Sequence, residues 1–583
     1  MVLEMKSVMC SPAANRKSFL SALIFTRRPH RCNKNSHSIP WTWGRRENYC
    51  AAAMVAEKAS ICSADELHYL NVPNSDWTLA LWRYNPPPQA PSRNHPVLLL
   101  SGVGTNAIGY DLSPGASFAR HMSRQGFDTW ILELRGAGLS KREGGTTANE
   151  TCIKNGTTIE LMDTLSEDDS NGCLIKPDQS LTEIDSKAET QNSTASEDEL
   201  ETAQERSELV ARLSEAFLQL PDKMTNFLNE SQYKAMASRL IDQISELRGD
   251  AQPSERFMEI KEKLLKLFEE GRNSATASQI AEMSHRLVKM VLDGPSQIFD
   301  LRERLSSKID DYQKQMDLIM EYNWDFDNYL KEDIPAAMDY IRSQTKPKDG
   351  KLFAIGHSMG GILLYAHLSS SARIGKQSGF AAIVTLASSL DYTASNSSMK
   401  LLVPLADPAK AINVPVLPLG KLMAAIYPLS SQPPYALSWL NRQVSARDMM
   451  HPELFKKLVL SNFCTVPAKL ILQLATAFRP GGLQNRTGSI YYKENLDKCK
   501  TPVLAVAGDE DLICPPEAVL DTVKEFPPEL VTYKLFGGEN DVHYAHYDLV
   551  GGRLATEEVY PSILEFLTKH DSSESSDISE KGY

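Results

Sequence analysis

The residues best suited to chemistry in this sequence lie at positions 356–360, which read G-H-S-M-G. A short apolar run, residues 351–355, precedes them, and a mostly apolar segment of helical pattern begins at Ile362. The G-x-S-x-G motif exposes its serine when it joins a strand to a helix by a sharp turn. Such a turn is strained, so small residues must flank the serine. The motif predicts that Ser358 is a nucleophile; the alternative is a glycine-rich loop with a passive serine.

A serine hydroxyl is a weak nucleophile at neutral pH, so it needs a general base, and the base needs a group that orients it. In a site of this kind an acid and then a histidine follow the serine along the chain. Residues 501–508 predict a buried strand, and Asp509, Glu510 and Asp511 follow it directly. We expect Asp511 to be the orienting acid, because two residues of turn bring it back toward the edge of the sheet. Asp509 is the alternative acid. If the segment has no catalytic role, it is a solvent-exposed acidic turn.

Two histidines follow the next predicted strand, residues 530–536. A general base must come within about 3 Å of the serine hydroxyl, and a loop after the last strand can reach that far. We favour His546 because a helical segment resumes directly after it, and His543 is the alternative. His357, beside the serine, is expected to be a packed or hydrogen-bonded neighbour rather than the base.

Two N–H groups must also stabilise the negative oxygen of the tetrahedral intermediate. The residue after the nucleophile, Met359, supplies one of them. The other comes from a glycine-rich loop, residues 101–106, which follows the predicted strand 96–100. We expect Val103 to be the second donor, with Gly104 as the alternative.

Three further segments extend this pattern. Residues 130–140 end in R-G-A-G-L-S, residues 324–341 begin W-D-F and precede the serine motif, and residues 546–552 read H-Y-D-L-V-G-G. Together with residues 356–360 they resemble the α/β-hydrolase superfamily, and the second segment resembles its acid-lipase branch. The chain as a whole is similar to plant plastid-targeted members of that superfamily.

The resemblance covers residues 66–142 and 324–567. It implies the α/β-hydrolase fold, an α/β architecture in which a mostly parallel central sheet is flanked by helices. It also supports His546 as the catalytic histidine and implies ester hydrolysis without a particular substrate. Many members have His-Gly at the loop of the second oxyanion donor, where this chain has Ser101 and Gly102.

The length of 583 residues exceeds what one core needs, and the excess is a long insertion. After the first part of the core, residues 51–142, residues 143–206 are acidic and poor in aromatic residues, which predicts disorder. In residues 207–322 apolar side chains recur at three- and four-residue spacing, which predicts helices. We expect these helices to form a bundle that packs over or beside the pocket; membrane or partner contact is the alternative.

The core resumes with residues 323–388, which carry the serine motif, and ends with residues 500–570, which carry the acid and the histidine. Residues 389–499 between them predict a helical lid, and residues 571–583 a disordered tail. Within the lid, residues 401–429 are strongly apolar but interrupted by prolines and charges. A membrane-spanning helix needs about twenty mostly apolar residues in a row, so this segment suits a lid over an apolar pocket.

The first 50 residues contain nine basic and two acidic residues. This composition is typical of an organelle transit peptide, and it predicts a chloroplast protein, in the stroma or peripheral to the thylakoid. The alternative is a secretory signal built on residues 19–25. The formal charge of the whole chain is −12, which argues against general binding to nucleic acid. The nine cysteines show no paired metal spacing, so neither a metal nor a cofactor is predicted.

These observations predict a plastid serine hydrolase that cleaves a carboxylic ester with an apolar part, of the esterase or lipase type. Its partner is a small-molecule or lipid ester, with peripheral membrane contact through the lid or the insertion; no obligate protein partner is inferred. One alternative is an acyltransferase that uses the same acyl-enzyme, since His543 and Asp548 also fit an H-x-x-x-x-D pattern. The other is a hydrolase fold that serves as a non-catalytic receptor or interaction platform.

Overall fold

The computed structural model describes residues 61–143, 197–224, 230–247, 254–269, 274–292, 298–405, 415–538 and 542–571. The predicted transit peptide, most of the predicted acidic segment and the predicted tail after Asp571 lie outside these residues.

One large sheet organises the core. Its main strands are β1 (Glu66–Asn71), β2 (Trp77–Tyr84), β3 (Val97–Leu100), β4 (Thr129–Glu133), β5 (Leu352–His357), β6 (Phe380–Leu386), β7 (Val503–Gly508) and β8 (Val531–Phe536). Their order across the sheet is β1-β2-β4-β3-β5-β6-β7-β8, and the short strand Lys141–Arg142 pairs with β2. The first two pairs are antiparallel and all pairs from β4 onward are parallel.

The sequence of the inner strands explains this arrangement. Every residue of β3, β5 and β7 is buried, and their sequences are VLLL, LFAIGH and VLAVAG. Nearly continuous apolar strands are typical of a parallel sheet that helices cover on both faces. The prediction of an α/β-hydrolase fold is therefore confirmed.

Among the described residues, the α-helices of seven residues or more are α1 (Phe118–Arg124), α2 (Glu197–Met224), α3 (Glu230–Glu246), α4 (Glu255–Glu269), α5 (Ser274–Leu292), α6 (Ile298–Glu321), α7 (Ile334–Thr345), α8 (Met359–Arg373), α9 (Leu419–Ser431), α10 (Pro452–Ser461), α11 (Ala468–Leu474), α12 (Pro516–Val523) and α13 (Ala555–Lys569). The other helical segments are short α-helical turns and 3-10 or π helices: Ala107–Tyr110, Phe326–Asn328, Tyr329–Asp333, Ser398–Leu405, Ser438–Leu440, Asn441–Val444, Ala475–Phe478, Tyr492–Lys498, Pro528–Leu530 and Asp548–Gly551.

Helices α2–α6 form the long insertion and bury their apolar stripes against one another. Their shared core is a cluster separate from that of the sheet, and it includes Leu213, Phe217, Leu264, Leu287 and Leu305. The two ends of the insertion meet, because Arg142 Nη1 donates a hydrogen bond to the carbonyl oxygen of Met320 at 2.9 Å. A long insertion can therefore leave the sheet undisturbed.

The predicted boundary between disorder and helix is wrong by ten residues. Helix α2 begins at Glu197, inside the segment 143–206 that we expected to be disordered. Residues 197–206 read E-D-E-L-E-T-A-Q-E-R, in which Glu, Leu, Ala, Gln and Arg are good helix formers. The helix propensity of these residues therefore extends α2 toward its N-terminus, beyond the part that carries the apolar stripe.

The lid region contains strands as well as the predicted helices. Val416–Pro418 and Thr465–Pro467 form an antiparallel pair, and helix α9 follows the first of them. Although α9 reads LGKLMAAIYPLSS, its one buried residue is Ser430. In the described residues we find no helix that is both long enough and apolar enough to span a membrane.

Candidate active site

Ser358 lies where β5 ends and α8 begins. Its backbone has φ 54° and ψ −121°, a region that costs a non-glycine residue about 1–3 kcal/mol and recurs at functional sites. Its N–H donates to the carbonyl oxygen of Leu386 at 2.9 Å, which fixes the turn. A β-carbon at Gly356 would overlap the backbone of Gly360 and Gly361. The strand can therefore turn into the helix here only with glycine at that position.

Asp511 and His546 form a buried pair beside this turn. The Oδ2 atom of Asp511 lies 2.8 Å from Nδ1 of His546. The other carboxylate oxygen accepts the N–H groups of Ile513 and Cys514, at 2.9 and 2.8 Å. The carboxylate is thereby held in one orientation, and it fixes the imidazole with Nδ1 toward the acid.

Ser358 and His546 both line one cavity. Within the described residues their side chains do not form a hydrogen bond with each other. In free enzymes the bond between nucleophile and base is often long and shortens when substrate binds. The structure thus brings the predicted serine, acid and histidine to one place.

The two alternative residues form a second pair. His543 Nδ1 lies 2.6 Å from Oδ2 of Asp509, and the N–H of Tyr544 donates to the other oxygen of Asp509 at 2.9 Å. The His543 side chain is 40% exposed, whereas that of His546 is 10% exposed. Neither Asp509 nor His543 is among the described residues that line the cavity. This second pair ties down its loop but does not face Ser358.

The segments of the two predicted oxyanion donors both adjoin the serine: Met359 follows Ser358 in the chain, and a β-carbon on Gly102 would lie 3.4 Å from the β-carbon of Ser358. Met359 is the first residue of α8, so its N–H has no partner within the helix. Val103 lines the cavity beside Ser101 and Gly102. Gly104, the alternative donor, has φ 59°, and its carbonyl oxygen accepts the N–H of Cys464 at 2.7 Å. Gly104 therefore makes the turn that carries Val103 and joins it to the lid.

A buried glutamate braces this loop, and sequence reasoning missed it. Glu133, at the end of β4, accepts the N–H of Ala107 at 3.0 Å and the N–H of Leu139 at 2.7 Å. Burial raises the pKa of its carboxyl group. Glu133 thus connects the segment after the oxyanion loop to the R-G-A-G-L-S turn. A single acidic residue at the end of a mostly apolar strand was the available signal.

The cavity is small and largely apolar. Its volume is about 150 Å³, and its apolar wall includes Tyr110, Met399, Val444, Leu458, Phe463 and Val550. Met399, Val444, Leu458 and Phe463 come from the predicted lid, residues 389–499, but none of the described residues of the apolar stretch 401–429 lines this cavity. Among the described residues that line the cavity, none comes from helices α2–α6. The helical insertion, expected over or beside the pocket, contributes no described wall to it.

Asp548, which the sequence analysis considered only as part of the H-x-x-x-x-D pattern, also contacts the site. Its buried carboxylate accepts the Ser445 hydroxyl at 2.6 Å and the N–H groups of Ala446 and Ala545 at 2.7 and 2.9 Å. Burial raises the pKa of this carboxyl group to about 6. Asp548 therefore fastens the lid to the loop that carries His546. In the H-x-x-x-x-D pattern, the aspartate therefore makes structural hydrogen bonds.

The site carries no arrangement for a metal ion in the part of the chain that the structure describes: no three His, Cys, Asp or Glu side chains converge there.

No protein-family model and no curated protein matches this chain in sequence. Among solved structures, it is similar to a monoacylglycerol lipase of Paleococcus ferrophilus, with 19% identity over 45% of this chain and 90% of that one and a TM-score of 0.28. It is also similar to a monoglyceride lipase of Saccharomyces cerevisiae, with 12% identity over 89% of this chain and 100% of that one and a TM-score of 0.39. A third similar structure is an esterase of Thermogutta terrifontis, with 10% identity over 87% of this chain and 100% of that one and a TM-score of 0.36. The activity is therefore inferred from the site alone.

Proposed function

We propose that this protein is a serine hydrolase that cleaves a carboxylic ester. The observation that carries the proposal is the convergence of a serine in a strained turn, Ser358, with the buried pair of His546 and Asp511 at one cavity. A passive serine would not require that strain or that partner.

The proposed reaction proceeds through an acyl-enzyme. The Oγ atom of Ser358 attacks the ester carbonyl carbon while Nε2 of His546 takes the hydroxyl proton. The N–H groups of Met359 and Val103 stabilise the negative oxygen that forms. The bond to the leaving alkoxide then breaks, and His546 passes the proton to it. Water, deprotonated by the same imidazole, attacks the acyl-enzyme. The bond to Ser358 Oγ breaks, the imidazolium returns the proton to that oxygen, and the acid is released, while Asp511 holds the imidazole throughout.

The substrate has an apolar acyl or alcohol part. The mostly apolar wall of the cavity offers few polar partners to a substrate side group, while the reacting carbonyl meets the polar end at Ser358. The volume of about 150 Å³ suits a short apolar group in this state of the lid. Acyl transfer to an alcohol shares the same acyl-enzyme, but Asp548 and His543 of the H-x-x-x-x-D pattern have structural partners and do not favour it.

The lid gives this enzyme a surface for peripheral contact with a lipid bilayer. Large apolar side chains are exposed on it, at 81% for Leu401, 50% for Leu422 and 59% for Trp439. Lys421 adds a cation in the same region, where Arg442 pairs with Glu510 at 3.2 Å, and residues 415–444 contain no acidic residue. Exposed apolar and aromatic residues with adjacent cations suit an anionic lipid surface. Together with the predicted transit peptide, this exposed apolar surface supports a location in the plastid, peripheral to the thylakoid.

Labelling with a fluorophosphonate probe tests the proposed activity. The wild-type protein should react covalently, and peptide mass spectrometry should find the adduct on Ser358. Ser358→Ala should remain unlabelled. A folded wild-type protein that fails to react would instead support the non-catalytic receptor.

A further inference from the structure

Two buried polar side chains that take no part in the proposed catalysis line the cavity at Ser358. They are Asn462, directly after helix α10, and Tyr547, directly after His546. Asn462 is 2% exposed and Tyr547 is 7% exposed. The rest of the cavity wall is largely apolar. These two residues therefore add polar groups to a wall that otherwise suits a hydrocarbon group.

Each of these side chains carries an oxygen atom without a hydrogen bond. Oδ1 of Asn462 and the hydroxyl oxygen of Tyr547 are both buried, and neither has a partner among the described residues. The backbone of both residues is bonded: the N–H of Asn462 donates to Leu458 at 3.2 Å, and that of Tyr547 donates to Val444 at 2.8 Å. Most buried polar side-chain atoms in proteins have a partner. Two unpaired oxygens on residues of one cavity wall therefore indicate a polar group that arrives with the substrate.

The two unpaired oxygens lie around one point beside Gly109, which also lines the cavity. A β-carbon placed on Gly109 would lie 3.2 Å from Oδ1 of Asn462 and 3.3 Å from the hydroxyl oxygen of Tyr547. Because glycine has no side chain, neither oxygen is covered from that side. Both oxygens are thus within hydrogen-bond range of one point, and small side-chain rotations can direct them to a single group of a substrate.

The chemistry of this pair suits a neutral hydroxyl. An amide oxygen such as Oδ1 of Asn462 only accepts hydrogen bonds, whereas a phenol can donate one. Burial raises the pKa of Tyr547, so its phenol stays protonated and can donate. The described residues that line the cavity include no Asp, Glu, Lys or Arg, so an ionised substrate group would be buried there without a counter-charge. A hydroxyl can donate to Asn462 and accept from Tyr547 at the same time.

We propose that Asn462 and Tyr547 select an ester that carries a hydroxyl on the group held in this cavity. The inference rests on the proposed ester hydrolysis at Ser358 and defines its substrate class, an ester with a short, hydroxylated acyl or alcohol part. The hydroxyl donates to Oδ1 of Asn462 and accepts from the phenol of Tyr547, while the carbon atoms contact the apolar wall. A site with buried polar groups discriminates against an analogue that lacks the matching hydroxyl, because the analogue leaves those groups unpaired.

Two pairs of esters, assayed with the full chain, measure this selection. The acyl pair is 4-nitrophenyl 3-hydroxybutyrate and 4-nitrophenyl butyrate, and the alcohol pair is glycerol monobutyrate and propyl butyrate. In at least one pair the wild type should prefer the hydroxylated ester by about tenfold or more in kcat/KM, after division by the rates of alkaline hydrolysis. The pair that shows the preference identifies the part of the ester that meets Asn462 and Tyr547.

Two substitutions test whether these residues cause the preference. Tyr547→Phe removes the hydroxyl and keeps the ring, and Asn462→Leu removes the acceptor at similar volume. Each should reduce the preference at least about threefold, because one hydrogen bond to the substrate hydroxyl is lost. Tyr69→Phe is the matched control, because Tyr69 is 38% exposed and is not among the described residues that line the cavity. It should keep the wild-type preference.

The selection and the proposed activity can fail separately. If the wild type hydrolyses these esters with no preference in either pair, the selection is overturned while ester hydrolysis stands, and water is then the partner of the two oxygens. An unchanged preference in the folded variants, with circular dichroism as the check of folding, also overturns the selection; Asn462→Leu decides if Tyr547→Phe unfolds. A folded wild type that hydrolyses none of the esters and forms no fluorophosphonate adduct at Ser358 would instead overturn the proposed function, and the selection with it.

Discussion

The Nε2 atom of His357 donates a hydrogen bond to the carbonyl oxygen of His546 at 2.8 Å. His357 directly precedes Ser358 and is the last residue of β5. The bond therefore joins the turn of the proposed nucleophile to the loop of the proposed base. Burial lowers the pKa of His357 to about 3, so this imidazole stays neutral at neutral pH and acts as a fixed support.

This support predicts a difference between two substitutions. His357→Gln keeps an N–H donor and should retain most ester hydrolysis, whereas His357→Ala loses the bond and should reduce kcat about tenfold or more by freeing the loop. The rates of hydrolysis of 4-nitrophenyl butyrate at pH 7 measure both. Equal losses in the two variants would mean that packing, rather than the hydrogen bond, holds the loop.

The same residue predicts a dependence of stability on pH. The pKa of His357 in the folded chain, about 3, lies below its ordinary value of 6.5. Between these values the unfolded chain binds the additional proton, so the contribution of His357 is fully present above pH 6.5 and is lost as the pH falls toward 3. His357→Gln should therefore lose less free energy of unfolding than the wild type between pH 7 and pH 5. Urea unfolding at both pH values measures this.

Ser358→Ala should abolish ester cleavage while the protein stays folded. Loss of a nucleophile that acts with a base typically costs several powers of ten in rate. Turnover of 4-nitrophenyl butyrate measures the loss, and circular dichroism checks the fold. A Ser358→Ala rate within tenfold of the wild type would remove Ser358 from the mechanism.

The two Asp–His pairs provide matched controls for each other. His546→Ala and Asp511→Asn should each lower kcat by at least about a thousandfold, because the imidazole is lost or misoriented. His543→Ala and Asp509→Asn remove the same chemical groups from the other pair and should keep most activity. The double variant Ser358→Ala, His546→Ala should have a kcat no lower than that of either single variant, because the two residues act as a unit. The reverse pattern would move the base to His543.

Asp548→Ala should be strongly destabilising although Asp548 does not line the cavity. The change leaves the hydroxyl of Ser445 and the N–H groups of Ala446 and Ala545 without their acceptor. At about 1–3 kcal/mol for each lost partner, we expect a loss of about 3 kcal/mol or more. Asp521→Ala, at an exposed carboxylate paired with Lys524, is the control and should cost about 0.5 kcal/mol or less. If urea unfolding gives the same loss of free energy for Asp548→Ala and Asp521→Ala, the structural role of Asp548 is contradicted.

The exposed lid predicts binding to anionic vesicles. Wild type should sediment with phosphatidylglycerol vesicles more than with phosphatidylcholine vesicles, and a variant with Leu422→Gln and Trp439→Gln should sediment less while keeping its activity on a soluble ester. Ile374→Gln removes a side chain that is 56% exposed outside the lid and should not change sedimentation. If it lowers sedimentation as much as the lid variant, the lid is not the contact surface.

The sequence by itself determined the local part of this site. The strand, the glycines and the helix around Ser358 are neighbours in the chain, so their residue types predict the turn directly. The same holds for the apolar strands of the sheet and for the stripes of the insertion. The order of serine, acid and histidine limited the other roles to Asp509 or Asp511 and to His543 or His546.

Only the tertiary structure decided how those four residues pair. Gly508 lies opposite Phe536 where β7 and β8 end, and the loops beyond them continue side by side, with the N–H of Glu510 donating to Tyr544 at 3.1 Å. This register places Asp509 beside His543 and Asp511 beside His546. The hydrogen bond between Lys469 and Asn323 is also tertiary, because the two residues are 146 positions apart. Contacts across such distances depend on how strands and insertions pack, and no local pattern encodes that packing.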